Sequence, residues 1–172
     1  QRSYASPSSV ANNAWAGFRV VNRVAVIAPS LTFTVYPYNF VGDITTIPVT
    51  VDLGNGIDPI IVYPDADGRF TVNNIEAGTY DIRIKASHWL AKAINGVGVV
   101  SGNKIINPIE LVNGDVVDNN EVDFSDINAV RAAYGSFPGD ETWNELADVD
   151  GTGEVDFTDI NIVRSRYGEI GD

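Results

Sequence analysis

The sequence predicts a mainly β protein: a β-sandwich of seven or eight strands followed by a small α-helical unit. Three observations predict this organisation. Short runs of alternating apolar and polar residues, separated by turn residues, fill most of the first two thirds of the 172-residue chain. Two similar acidic segments, offset by 33 residues, follow near the C-terminus. Residues 110–172 hold 16 acids against three arginines, whereas the stretch before them has seven acids against eight bases.

Residues 1–29 form a predicted N-terminal extension that contains one strand, residues 17–28. This strand reads GFRVVNRVAVIA and is followed by Pro29. It is apolar on both faces, which is typical of a strand that is covered on both sides. It could pair within its own sandwich as an eighth strand, or complete the sheet of a neighbouring molecule. The sequence leaves both pairings open.

Residues 30–112 are predicted to form the sandwich. Turn residues separate the runs, notably at residues 54–58, 65–68, 96 and 102. Seven strands with little helix favour an immunoglobulin- or transthyretin-like β-sandwich. The predicted strands are residues 31–41, 47–53, 60–63, 70–73, 79–86, 91–100 and 105–111.

Residues 65–90, DADGRFTVNNIEAGTYDIRIKASHWL, resemble the carboxypeptidase regulatory-like family. The resemblance implies a carbohydrate-binding-like fold and a spacer or adhesive module. Trp15, Trp89 and Trp143 are candidates for stacking on sugars, and burial in a core is the alternative for each of them. Carbohydrate binding is therefore a third functional hypothesis.

Residues 113–172 contain the duplicated segment, DVVDNNEVDFSDINAVRAAYG at 115–135 and DVDGTGEVDFTDINIVRSRYG at 148–168. In the second copy, oxygen-bearing groups fall at the ligand positions of a twelve-residue calcium loop, and Gly153 supplies the sharp turn. Calcium requires about six to eight oxygens, and this spacing provides them. The predicted ligands are Asp148, Asp150, Thr152, the carbonyl of Glu154, Asp156 and Asp159.

The first copy predicts a second, weaker calcium site. Its third position is Val117, which has no side-chain oxygen, and its sixth is Asn120, which tolerates positive φ better than most residues. Asp118 or water could supply the missing ligand, and the alternative is a decayed loop that holds no metal. The predicted ligands are Asp115, Asn119, the carbonyl of Glu121, Asp123 and Asp126.

Each loop leads into a short predicted helix. Ser125 and Thr158 are predicted N-caps, and Gly135 and Gly168 are predicted to end the helices in the left-handed conformation. Apolar residues recur at helical spacing and predict packing between the two halves. These residues are Ile127, Val130 and Tyr134 in one copy, and Ile160, Val163 and Tyr167 in the other.

Residues 113–172 contain two copies of a loop followed by one helix, and this arrangement resembles the dockerin family. The resemblance implies an extracellular, calcium-dependent module that docks onto a cohesin-like partner through residues at the helix starts. Those positions hold Phe124 with Ser125, and Phe157 with Thr158. The phenylalanines depart from the small hydroxyl pairs of cellulosomal dockerins, and burial is the alternative for them.

No enzyme is indicated. The chain has no cysteine, and its one histidine, His88, lies beside Trp89 and is interpreted as a packed residue. The net charge of −12 disfavours nucleic acid as a partner, and no run of residues is long and apolar enough to span a membrane. A cysteine-free chain that relies on calcium fits a secreted or cell-surface protein whose signal peptide has been removed.

The sequence therefore predicts a non-catalytic, calcium-binding structural protein. Self-assembly of copies through residues 17–28 into a fibre or surface structure is the first functional hypothesis, because head-to-tail contacts that do not close into a ring propagate. Docking onto a cohesin-like scaffold is the alternative.

Overall fold

Alternating apolar residues form eight strands within residues 27–172, the part of the chain that this computed structural model describes. Most of the predicted strand 17–28 lies outside these residues, as does Trp15. The strands are β1 Ser30–Pro37, β2 Val49–Asp52, β3 Ile60–Val62, β4 Arg69–Asn73, β5 Gly78–Ala86, β6 Lys92–Val99, β7 Asn103–Ile105 and β8 Ile109–Leu111. The predicted mainly β class is thus confirmed.

The strands form two four-stranded sheets. In the first, β1 lies between antiparallel β4 on one side and parallel β7 and β8 on the other. In the second, the order is β3-β2-β5-β6, and all neighbours are antiparallel. Leu31, Phe33 and Val35 alternate inward along β1, and Phe33 stacks on Phe70 with ring centroids 5.1 Å apart. Burial of each such side chain contributes about 1.5–3 kcal/mol, so this face is a main source of stability.

The single strand predicted at residues 105–111 is wrong, because two strands occupy the region. Thr32 pairs with Ile105 and Val35 with Ile109, so the two residues of β1 between these pairs lie opposite three residues of the partner, 106–108. The extra residue makes a bulge, and Pro108 within it has no N–H to contribute to the ladder.

The helical unit has its own core and no linker before it. Its helices are α1, Phe124–Ala133, and α2, Phe157–Ser165, with a 3-10 turn at Glu145–Ala147. The chain passes from β8 at Leu111 directly into the first loop, and Leu90 N–H donates to Val112 O at 2.8 Å. The C-terminus returns to the sandwich, where Asp172 N–H donates to Ala91 O at 3.0 Å. The buried core of this unit comprises Leu90, Val116, Val122, Ile127, Val130, Ala133, Ala147, Val149, Val155, Ile160, Ile162 and Val163.

The predicted N-caps Ser125 and Thr158 are wrong. Asp123 and Asp156 cap the helices, since their carboxylates accept from the N–H groups of Ser125 and Thr158. In each helix the third residue completes a capping box by accepting from the cap's own N–H. The sequence assigns Asp123 and Asp156 as calcium ligands, so the predicted caps fall at the next suitable residues, Ser125 and Thr158.

The predicted end of α1 and most of the apolar stripe agree with the structure. Gly135, with φ of 78°, directly follows the C-cap Tyr134. Gly168 also has a left-handed φ, 87°, but α2 ends earlier, at Ser165 with Arg166 as its C-cap, so the predicted role of Gly168 is wrong. Tyr134 and Tyr167 are the exceptions to the stripe, because they are 55% and 59% exposed, respectively. No helix within residues 27–172 has the length and apolar character needed to cross a membrane.

Candidate metal centre

Three buried carboxylates come together in the second loop, residues 148–159. Oxygens of Asp148, Asp150 and Asp159 all lie within 4.8 Å of one another. Within residues 27–172 this is the one cluster of three acidic, histidine or cysteine side chains with that spacing. The three residues are 8%, 8% and 0% exposed, so the carboxylates converge on a site that is largely shielded from water.

Backbone N–H groups of the loop hold these carboxylates in place. Asp148 Oδ1 accepts from Thr152 N–H at 3.0 Å, and Asp148 Oδ2 accepts from Gly153 N–H at 2.8 Å. Asp159 Oδ1 accepts from Asp150 N–H at 3.2 Å. Gly153 has φ of +86°, which a glycine adopts without strain and which lets its N–H point inward. The loop is therefore preorganised to present oxygen to a hard cation.

The charges of this cluster oppose one another. Burial raises the pKa of the Asp159 carboxyl to about 6, and Asp150 and Asp148 push it in the same direction. Burial is also the largest cause of the raised pKa of Asp148, although backbone N–H groups counteract part of the effect. A bound divalent cation would remove this conflict, because it favours the ionised form of each carboxyl.

The raised pKa of Asp159 predicts an inverted pH dependence for the calcium-free protein. The folded state holds a proton that the unfolded state, with its ordinary pKa near 3.8, has lost between about pH 4 and pH 6. Stability in a chelator is therefore expected to fall by on the order of 2 kcal/mol as the pH rises through that window. Urea unfolding at pH 4.5 and pH 7 measures it. Asp159→Asn should flatten the dependence, and an unchanged slope in that variant would contradict the assignment.

The remaining predicted ligands of the second loop form hydrogen bonds within the loop. Glu154 is exposed, and its carbonyl accepts from Thr152 Oγ1 at 3.4 Å. The Asp156 carboxylate accepts from Thr158 N–H at 2.5 Å as the helix cap. The structure thus brings together three of the six predicted ligands and places the other three at the same loop.

The first loop, residues 115–126, folds in the same way. Asp115 Oδ1 accepts from Asn119 N–H at 2.9 Å and Oδ2 from Asn120 N–H at 3.0 Å. Asp126 Oδ1 accepts from Val117 N–H at 3.0 Å. Asn120 takes the place of the glycine with φ of +67°. Both loops therefore share one hydrogen-bond pattern, although only the second gathers three carboxylates.

The cation that faces the first loop is an ammonium of the protein. Lys85 Nζ, from β5, lies 2.9 Å from Asp115 Oδ2 and 2.6 Å from Asp118 Oδ1. The same ammonium donates to the carbonyls of Ser87 and Trp89, both at 2.7 Å. Asp115 is fully buried, so Lys85 neutralises a charge that water cannot reach. Sequence reasoning missed Lys85, which lies 30 residues upstream of the loop.

Asp118, considered from the sequence as a substitute ligand, is engaged by Lys85. It has φ of +58°, and the other predicted ligand residues of this loop, Asn119 and Glu121, are exposed. The Asn119 Oδ1 accepts from Glu121 N–H at 3.0 Å. Asp123 is occupied as the cap of α1. The first loop is thus held together by bonds within the chain.

His88 and the two described tryptophans, Trp89 and Trp143, differ in how far they are buried. His88 is 3% exposed, and burial lowers its pKa to about 3, so the imidazole is neutral. Its ring lies 3.9 Å from that of Trp89, which is 1% exposed and packs edge-on against Phe40. Trp143 is half-buried against the core of the helical unit. Both His88 and Trp89 are therefore core residues.

An aromatic pair is exposed at the two helix starts. Phe124 and Phe157 occupy the same position in the two copies, and each is 58% exposed. The alternative that both phenylalanines are buried is thus wrong. The two copies thus each present one large aromatic side chain to solvent at the same helix position.

Comparison with known proteins shows the fold of the chain. No family model and no curated protein matches the sequence. Two crystal structures of a type II cohesin–X-dockerin complex from Acetivibrio cellulolyticus, mutated in the C-terminal and N-terminal interface respectively, each contain a similar chain. The TM-scores are 0.70 and 0.69, at 20% sequence identity. Each match covers 83% of this chain and 97% of the other chain, so the likeness extends beyond residue 111 into the helical unit.

Proposed function

We propose that this chain is a non-catalytic, extracellular docking module whose helical unit is held in shape by calcium and binds a cohesin-like protein. The observation that carries the proposal is the exposure of Phe124 and Phe157 at equivalent helix starts. Each helix begins inside its loop, at the tenth of the twelve positions, so the loops set the position of these aromatic side chains. Interface centres are enriched in such aromatic residues.

Calcium has a structural role in this proposal. The ion would be held by Asp148, Asp150 and Asp159, with oxygens of Thr152, Glu154 and Asp156 at the same loop. The loop also contacts the sandwich, because Asp150 O accepts from Val41 N–H at 2.7 Å. A Cβ on Gly151 would lie 2.4 Å from the Phe40 ring, so the two parts touch closely. Binding of the ion would therefore stabilise α2 and its junction with the sandwich together.

The fold comparison supports a docking role. The similar chains belong to a complex that contains a cohesin and an X-dockerin. Each match covers nearly the whole of the other chain and reaches into the helical unit of this one, which supports a role for both parts in docking. The proposed docking role fits a location outside the cell.

Substitution of both exposed phenylalanines tests the docking surface. Phe124→Ala with Phe157→Ala is expected to weaken binding to a type II cohesin at least 30-fold, because a single buried aromatic anchor contributes about 2 kcal/mol or more. Calorimetry or surface plasmon resonance in millimolar calcium measures the affinity. Phe137→Ala, which removes a phenylalanine that is 48% exposed between the repeats, is the matched control. Absence of binding to any cohesin by the unaltered chain would overturn the proposal.

Self-assembly through residues 17–28 is the second candidate function. The observation that favours it is an open groove beside the edge strand of the first sheet, lined partly by exposed apolar residues. Sugar binding, the third hypothesis, gains no such support from the described tryptophans, since Trp89 is buried and Trp143 is half-buried.

A further inference from the structure

We propose that the open edge of β7 and β8 accepts residues 17–28 of a second copy of this chain as an added strand. The proposal deepens the second candidate function by naming the surface that receives the strand. It concerns the sandwich and is independent of the docking surface on α1 and α2.

An open groove of about 720 Å³ runs between the edges of the two sheets. One wall is β6, with Ile94 and Val97, and the other is the segment from Lys104 to Glu110. Ile105, on the second wall, is 74% exposed, although its neighbour Ile106 is buried. Among the residues that the structure describes, the groove therefore offers apolar surface next to backbone with no strand beside it.

The β7 edge carries free backbone groups. Within residues 27–172, β7 and β8 pair only with β1. Ile106 N–H donates to Thr32 O at 2.9 Å, and Gly102 O accepts from Ser30 N–H at 3.0 Å. Because strand residues alternate between the two sides, the N–H and C=O of Ile105 point away from β1 and into the groove. Such an edge is a template for strand addition.

The opposite wall is less able to accept a strand. Ala93 N–H, near the start of β6, donates to the Asp172 carboxylate at 3.1 Å. Gly98 O, near its end, accepts from Lys104 Nζ at 2.8 Å. These groups are already satisfied from the groove side, which leaves the β7–β8 edge as the pairing surface.

The segment 17–28 has the length and pattern that this edge requires. The edge from Asn103 to Leu111 has nine residues and spans about 30 Å, whereas twelve extended residues span about 40 Å. Phe18, Val20, Val24 and Val26 alternate on one face and match the apolar groove, while Arg19 and Arg23 share the other face with Val21 and Ala25. One face can therefore be buried in the groove, and the two long arginine side chains of the other face can still reach water.

The course of the described chain favours a neighbour over the same molecule. Residues 27–29 continue the line of β1 past its start and lie beside the β6–β7 turn, where Ile27 O accepts from Gly102 N–H at 3.4 Å. The groove extends in the opposite direction from that point, so entry into the same groove requires a reversal before Ile27. Asn22 is the nearest turn-forming residue before Ile27, and a reversal there would leave only residues 17–21 for an edge of nine residues. Addition to a second copy requires no reversal.

A complementation experiment with the full chain tests the proposal. Val20→Asp with Val24→Asp disables the donor, and Arg23→Gln is its control. Ile105→Pro disables the acceptor by removing one N–H at an edge where proline is tolerated, and Ile105→Ala, which keeps the N–H, is its control. Sedimentation and negative-stain microscopy measure particle mass and shape, and melting curves check that each variant is folded.

We expect the unaltered chain and both controls to form polymers, and each disabled variant to remain at the 18.5 kDa of one chain. An equimolar mixture of the two disabled variants should give a dimer, since one donor and one acceptor remain intact. A monomeric unaltered chain would overturn self-assembly itself. Polymers formed by Ile105→Pro would overturn only this acceptor edge, and a mixture without dimers would show that the two substitutions do not act on one contact. Cohesin binding should be unaffected by any of these variants.

Discussion

Removal of calcium with EDTA is expected to lower the melting temperature of this protein by about 5–10 °C. At millimolar calcium and a dissociation constant near 10 μM, one site contributes about 2.7 kcal/mol to stability. The second loop should account for this effect, because Asp148, Asp150 and Asp159 are buried together and their charges repel in the absence of a cation. Differential scanning calorimetry with and without EDTA measures the shift.

Two variants assign the effect to the second loop. Asp148→Ala with Asp159→Ala should abolish the calcium dependence, so that EDTA no longer changes the melting curve. Glu154→Gln removes one charge from the same loop but keeps the backbone carbonyl, and Glu154 is exposed. This control should retain the full shift. Equal losses in both variants would indicate a general effect of negative charge and not a site.

Replacement of Lys85 is expected to destabilise the protein by about 3–5 kcal/mol, the largest loss from any single substitution considered for this chain. Lys85→Met keeps the length of the side chain and removes the ammonium that faces Asp115 at 2.9 Å. Asp115 is 0% exposed, so its carboxylate would be left buried without a counter-charge, held only by the N–H groups of Asn119 and Asn120. Urea unfolding measures the free energy of unfolding.

The control for Lys85 is another lysine in an ion pair. Lys92 pairs with Asp172 at 2.9 Å, but their side chains are 54% and 46% exposed. Lys92→Met should therefore cost less than about 1 kcal/mol. Addition of Asp115→Asn to Lys85→Met should restore part of the loss, since the buried charge is then absent. Similar costs for Lys85→Met and Lys92→Met would show that the buried pair has no special role.

The position of Lys85 also affects how many calcium ions we expect the chain to bind. The sequence predicts two sites with the first loop the weaker, and leaves open a loop that holds no metal. An ammonium that is bonded to Asp115 and Asp118 competes with a divalent ion for the same carboxylates. We therefore expect the first loop to be held by Lys85 and the chain to bind one calcium ion.

The sequence predicted the fold where the pattern is local. Strands that alternate apolar and polar residues, such as β5 at Gly78–Ala86, were located within a few residues, and so were α1 and α2. The division of residues 105–111 into β7 and β8 was missed, because it depends on the register against β1 and not on the segment itself.

In the candidate site, too, the sequence identifies what depends on local spacing but not what depends on contacts between distant residues. The cluster of Asp148, Asp150 and Asp159 follows from spacing within one loop, so the sequence alone identifies its members. Lys85 reaches the first loop from β5 only after the sandwich has packed against the helical unit, and no local pattern marks it. The exposure of Phe124 was likewise undecided, because an aromatic residue at a helix start fits a core or a contact surface equally well.

Calorimetric titration of the chelated chain with calcium tests the central claim most directly. We expect one site per chain with a dissociation constant near 10 μM or lower, absent in Asp148→Ala with Asp159→Ala and retained in Glu154→Gln. A chain that takes up no calcium, and whose melting curve is the same in calcium and in EDTA, would contradict the account.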